Sequence, residues 1–250
     1  MNGADTVISI FGDVEPEAAL ALVEKHLGAM PHKDTSDFSV PQPQPATPAQ
    51  LVQTITQKPL GAVQIGFGPG VTRTSPDYPA IEVMTNVLSR FPTGWLEQQL
   101  RGEGEGLVYA VGCGQFTGFA PGYVAILFNA TPEKLPQALE RTTHVVQRIQ
   151  GELVDDQTLV DAKAAVLSAE LLARQSNSER AAQFSLDELY GLGLNETERF
   201  IGAVKALSAE QLRTTARTYL KTPLTVVLTH EALPEAELHK AIEGLTPVEP

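Results

Sequence analysis

One cysteine in 250 residues, Cys113, excludes an internal disulfide and any multi-cysteine zinc or iron–sulfur site. No apolar run approaches the roughly 20 residues that a membrane-spanning helix needs, and the opening Met1–Val7 has neither the basic start nor the apolar stretch of a secretory signal. Cations are scarce: 18 Lys and Arg stand against 30 Asp and Glu, a formal charge of −12. Such a surface repels phosphate backbones, so no nucleic-acid partner is expected. The five histidines (His26, His32, His144, His230 and His239) include no pair at the spacing that puts two imidazoles and an activating Glu on one helical face. His230-Glu231 begins like such a pattern, but Pro234 stands where the second His belongs and would break the helical turn. The chain also lacks a Gly-x-Ser-x-Gly elbow and the Gly-Lys-Ser/Thr of a phosphate loop. Cys113, in a strand pattern, reads as a small buried hydrophobe and not as a nucleophile.

What the chain does have is globular composition, with 42% hydrophobic and 19% charged residues. Thr6–Phe11 is β-branched and predicts a strand, followed by the Gly12-Asp13 turn. Pro16 opens a helix in which Leu20, Val23, Leu27 and Met30 share a face, and Gly28 and Pro31 close it. The pattern then dissolves. Pro41, Pro43, Pro45 and Pro48 alternate with polar residues, a composition that favours extended polyproline geometry with no core to join, so 34–50 reads as a linker.

Beyond it, Leu51–Gln57 alternates and Ala62–Phe67 follows across Pro59-Leu60-Gly61, which predicts a hairpin. Asp77 is the expected N-cap of a helix carrying Ile81, Met84 and Leu88, resumed through Trp95 and Leu100 after a break at Pro92–Gly94. Leu107–Cys113 and Tyr123–Asn129 predict two strands around a Gly114–Gly122 loop. Helical periodicity marks Leu135, Leu139, Val146 and Ile149, and then Leu159, Ala162, Val166 and Ala169. Ser176 with Glu179 and Ser208 with Gln211 have capping-box spacing. A strand at Leu224–Thr229 precedes a helix around Pro234–Ile242. Grouped strands and helices point to an α+β fold, an antiparallel or mixed sheet packed against a layer of helices.

The two ends of the chain echo one another. Thr6–Ile10 leads through a turn to Pro16-Glu17-Ala18, and Thr225–Thr229 leads through a turn to Pro234-Glu235-Ala236, 219 residues later. A repeat of this kind implies the last β–α unit of one domain, a linker and one whole second copy.

The remaining stretch of note is Leu100-Arg101-Gly102-Glu103-Gly104-Glu105-Gly106-Leu107-Val108-Tyr109. Arg101 at a helix C-terminus would favour the negative end of the dipole, and Tyr109 would be an ordinary strand aromatic. The same residues, with Gly12–Glu17 as a Gly-Asp-Val-x-Pro-Glu turn and the late run Leu207–Leu212, Ala216–Leu220 and Leu224–Val227, resemble the insulinase/pitrilysin zinc metallopeptidases, the group containing mitochondrial processing peptidase. The resemblance covers essentially the whole chain. It implies one half of a two-domain clamshell: residues 1–33 as the closing strand and helix of a preceding homologous domain, 34–50 as a Pro-rich linker and 51–250 as the C-terminal domain.

In that family the zinc sits on an inverted His-x-x-Glu-His helix of the first domain, a motif this chain does not contain. The resemblance therefore implies no metal and no cofactor here, with zinc in the missing N-terminal half. Tyr109 and Arg101 match the Tyr and Arg with which the second domain reaches the bound peptide. Tyr109 would donate to the carbonyl oxygen as charge builds on it, and Arg101 would hold a peptide carbonyl or carboxylate. Seven residues separate Arg101 from Tyr109, one more than the family commonly has, and the addition falls among glycines. The expected partners are a peptide or unfolded polypeptide substrate and the N-terminal homologous domain or a catalytic subunit, with a dimer open. The alternative is a non-catalytic structural subunit of a heterodimeric or larger assembly. The chain alone is expected to be inactive; its true N-terminus is expected to lie upstream, and a cytoplasmic location is favoured.

Overall fold

Alternating β-branched and aromatic residues place one side of each strand on a core. In a computed structural model, which describes residues 3, 6–32, 43–44, 49–102 and 106–245, five such segments form one mixed sheet. They are β1 (Gln50–Ile55), β2 (Gly61–Phe67), β3 (Ala110–Phe116), β4 (Tyr123–Ala130) and β5 (Leu224–Thr229), in the order β1-β5-β2-β4-β3. β1 runs parallel to β5, and every other pairing is antiparallel. The register aligns Cys113, Ile126, Ile65, Thr225 and Leu51 in one row across the sheet. Val63, Ile65, Phe67, Val124, Ile126, Phe128 and Val227 are buried on the same side. The adjacent row, Gly112, Leu127, Gln64, Val226 and Val52, points the other way, where Leu127 and Val52 are exposed.

Helices cover the buried face. α2 (Tyr78–Ser89) buries Ile81, Met84 and Leu88, and α4 (Leu135–Gly151) buries Leu135, Leu139, Val146 and Ile149, as their spacing predicts. α2 packs on β3, α4 on β2 and β4, and α8 (Ala209–Tyr219) and α9 (Glu235–Ile242) pack on α4. Both capping boxes form. Ser208 accepts from the Gln211 N–H at 3.2 Å and its own N–H donates to Gln211 Oε1 at 2.8 Å. Ser176 and Glu179 do the same at the start of α6 (Asn177–Leu189), which in chain order follows α5 (Asp156–Leu172) and precedes α7 (Glu196–Ala206). Asp77 stands at the N-cap of α2, but its side chain caps nothing there. It accepts a 2.6 Å hydrogen bond from the Tyr219 hydroxyl, and burial together with that bond pushes the Tyr219 phenol up to about 12.

Three local expectations are corrected. β1 and β2 are not a hairpin, because β5 lies between them. Residues 56–60 cross two strand spacings, about 9.6 Å, well within the reach of five residues. β3 starts at Ala110, not Leu107: Leu107 and Val108 are both buried, and their N–H groups turn back to the Leu100 carbonyl at 2.7 and 3.4 Å. Thr6–Phe11 is not a strand, since it joins no ladder among the described residues and leaves Ile8, Ile10 and Phe11 exposed. Local β preference does not satisfy a strand's N–H and C=O groups; a neighbouring strand does.

The fold divides into two compact units. One draws on residues 1–41 and 167–202, the other on 42–166 and 203–250, which holds the sheet. In the first, the Phe11 ring stacks on Phe184 at 5.2 Å, and Arg174 joins Glu170 at 2.7 Å to Asp187 at 2.9 Å. α1 (Pro16–Leu27) belongs to this unit and buries none of its residues. Of the linker expected at 34–50, residues 34–42 and 45–48 lie outside the described residues.

Candidate functional site

Arg101 and Tyr109 stand on either side of residues 102–108, ahead of the edge strand β3. α3 (Trp95–Glu97) runs into a π-helical turn over Gln98–Gly102, a widened turn that often marks functional positions. Trp95, Leu96 and Leu100 anchor it in the core. α4 clamps it from outside: the Arg148 guanidinium lies 4.0 Å over the Trp95 ring, and Arg141 donates to the Gln99 carbonyl at 3.0 Å. Residues 103–105, the acidic part of the loop, lie outside the described residues. The chain re-enters at Gly106, whose φ of +53° suits glycine and whose carbonyl accepts from Lys134 Nζ at 3.2 Å.

The two candidate residues meet different surroundings. Tyr109 donates its backbone N–H to Asn129 at 2.8 Å, which fixes it at the head of β3, while its side chain stands 79% exposed. A phenol held on fixed backbone in open solvent is free to donate to an incoming carbonyl. Arg101 is partly committed: Nη1 donates to Glu97 Oε2 at 3.0 Å, and the guanidinium lies 5.5 Å from the Phe91 ring centroid. Glu97 is only 6% exposed, so its carboxylate depends on that partner. The five donors of a guanidinium allow one face to hold Glu97 and another to meet a ligand. Glu97 was missed in the sequence, although its i,i+4 spacing to Arg101 was the signal.

Cys113 lies on the helix-facing row of β3, and burial pushes its thiol up to about 12, which removes it as a thiolate nucleophile. Among the described residues no group of three or more His, Cys, Asp or Glu side chains is placed to hold a metal ion.

A second arrangement lies on the sheet's open face. Phe116 and Tyr123, opposed across β3 and β4, stack with ring centroids 5.8 Å apart and planes 19° from parallel. Their antiparallel pairing was the missing information, since the sequence alone left Phe116 in a loop.

The sequence model of the peptidase M16 inactive domain matches residues 1–166. No curated protein matches the chain. Its fold is similar to that of the peptidase M16 inactive domain from Pseudomonas fluorescens, at 21% identity and a TM-score of 0.79, over 88% of this chain and 53% of that one. A protease from Helicobacter pylori is similar at 18% identity and a TM-score of 0.71, over 87% and 53%. A chain of complex III2 from Candida albicans, solved with Inz-5 bound, is similar at 10% identity and a TM-score of 0.77, over 94% and 57%. The chain thus spans about half the length of these three solved structures.

Proposed function

The chain belongs to the peptidase M16 inactive-domain family, and from that membership we propose that it is the C-terminal, zinc-free half of an insulinase-like metalloendopeptidase. In this reading it binds peptide substrate and supports the transition state at a zinc site carried by the N-terminal half. The observation that carries the proposal is Tyr109: an aromatic side chain left 79% exposed on backbone pinned to β4. An aromatic that only packed would be covered, and a donor meant for a ligand has to be reachable. Arg101, braced by Glu97 and Phe91, would orient a peptide carbonyl or carboxylate.

The domain assignment is part of the proposal. Residues 1–33 would close the preceding homologous domain, 34–50 would link, and 51–250 would form the C-terminal domain. A segment Thr6–Phe11 that joins no ladder among the described residues and a helix α1 without a buried residue support it. So does the apolar groove of about 580 Å³ between Ile10, Val14, Ala18, Leu22 and Leu27, an unusual feature to leave open to water.

The test is Tyr109→Phe in the complete protein. Loss of one positioned donor should lower turnover by about 10²–10³-fold, with zinc content and fold unchanged; full activity would overturn the role. A structural subunit is the second reading. The commitment of Arg101 to Glu97 and the likeness to the complex III2 chain favour it. It predicts a full-length coding sequence without an intact His-x-x-Glu-His helix upstream.

A further inference from the structure

The open face of the sheet carries a groove of about 470 Å³ at the end where β3 passes into β4, within the size range of ligand sites. Its floor is the Phe116–Tyr123 stack, and Phe116 remains 65% exposed. Pro69, Pro121 and Leu224 complete the apolar walls. The turn that holds the rings is rigidly braced: the Gly70 N–H donates to the Gly122 carbonyl at 2.8 Å and the Gly122 N–H to the Val71 carbonyl at 3.2 Å. A Cβ at Gly122 would fall 1.7 Å from the Phe116 carbonyl oxygen, so only glycine lets residues 121–123 approach β3 this closely. The rings are therefore presented on fixed backbone.

Among the described residues none lining the groove is charged; its polar side chains are the amides of Gln64 and Gln44 and the phenol of Tyr123. An ionic group entering it would lose water with no counter-charge to replace it. Flat aromatic faces beside neutral amides suit an extended chain whose side chains are rings without donors and whose carbonyls stay free to accept. That is the chemistry of polyproline-type segments, which arrive already extended and lose little entropy on docking. The chain itself shows the match: Pro43 and Gln44 line the groove, and both are exposed.

We infer that this groove binds an uncharged, extended, proline-containing peptide segment of another polypeptide, laid across Phe116 and Tyr123 beside Pro43-Gln44. The inference does not rest on the peptidase reading, since it needs neither zinc nor a second domain. The test titrates the 250-residue chain with N-acetyl-Pro-Gln-Pro-Gln-Pro-amide while following the aromatic NMR signals of Phe116 and Tyr123. N-acetyl-Glu-Gln-Glu-Gln-Glu-amide serves as the control. The proline peptide should shift both rings and saturate below about 1 mM, and the acidic peptide should not. Phe116→Ala and Tyr123→Ala, each at an exposed position, should weaken binding about tenfold or more. Absence of ring shifts at several millimolar peptide would overturn the inference, as would binding by both variants as tight as that of the unaltered chain. Binding that emerges only after Pro43→Gly and Gln44→Gly would also overturn it, by assigning the groove to the chain's own connector.

Discussion

Two segments of this chain share one sequence pattern and have opposite structures. Thr225–Thr229 lies within β5, which has β1 on one side and β2 on the other, and it leads into α9, where Leu238, Ala241 and Ile242 are buried. Thr6–Ile10 joins no ladder among the described residues, and the helix after it buries nothing. β-Branching, turn and Pro-Glu-Ala helix start are common to both. The contrast separates what local sequence provides from what neighbours provide. Helix α1 forms where its Pro and its periodicity put it, because a helix satisfies its own backbone. The strand does not, because its hydrogen bonds belong to two segments at once.

The sharpest way to break the comparison is amide exchange. Val226–Leu228 should exchange only through global opening, slowed by orders of magnitude for a domain of ordinary stability, about 5–15 kcal/mol. Val7–Ile10 should exchange almost as fast as an unfolded chain. Comparable protection in the two segments would show that Thr6–Phe11 pairs in solution. A complete protein carrying the preceding domain should, on the proposed architecture, bring Val7–Ile10 to protection of the β5 kind.

Next in size are core truncations. Leu238→Ala in α9 removes a fully buried side chain and should cost about 2–5 kcal/mol. Leu20→Ala in α1 removes one that is 67% exposed and should stay within about 0.5 kcal/mol. Denaturant midpoints measure both, and a large effect of Leu20→Ala would mean that α1 is covered. A step smaller is Ser208→Ala, which removes a reciprocal cap and should cost about 1 kcal/mol. The start of α1 has no side-chain cap to lose at Glu15, so Glu15→Ala should be nearly silent in the same assay.

The same distinction explains which features were legible beforehand. The apolar stripe of α4 and both capping boxes depend on residues within a turn or two of one another, and the structure has them. The strands of the sheet were visible as alternation, but their neighbours were not. The same alternation serves a hairpin or a connection that passes under an inserted strand, and only the register of β5 against both β1 and β2 decides. Leu107 and Val108 read as strand because two apolar residues before a β-branched run look like its beginning; their bonds to Leu100 are tertiary. At the candidate site, Arg101 and Tyr109 were picked out by family resemblance. The exposure of one and the Glu97 partner of the other are consequences of packing around α3.

The last contrast lies at the contact that ties α8 to α2. Replacing Tyr219 by Phe removes the 2.6 Å hydrogen bond to Asp77 and should cost about 1 kcal/mol at neutral pH, as the exposed carboxylate returns to water. Its pH signature is more specific than its size. In the unfolded chain the phenol ionises near 10, whereas in the fold burial and the bond to Asp77 hold the proton up to about 12. A group whose folded pKa is raised contributes its full stability below the unfolded value and loses it as pH climbs through the folded one. The window is therefore pH 10 to 12. Unfolding midpoints of the native chain should fall across that window more steeply than those of Tyr219→Phe. Parallel curves for the two proteins would mean that the hydroxyl does not hold Asp77 in solution. The N-terminal counterpart offers no such signature, since α1 has no buried residue on which a tertiary hydrogen bond of this kind could be built.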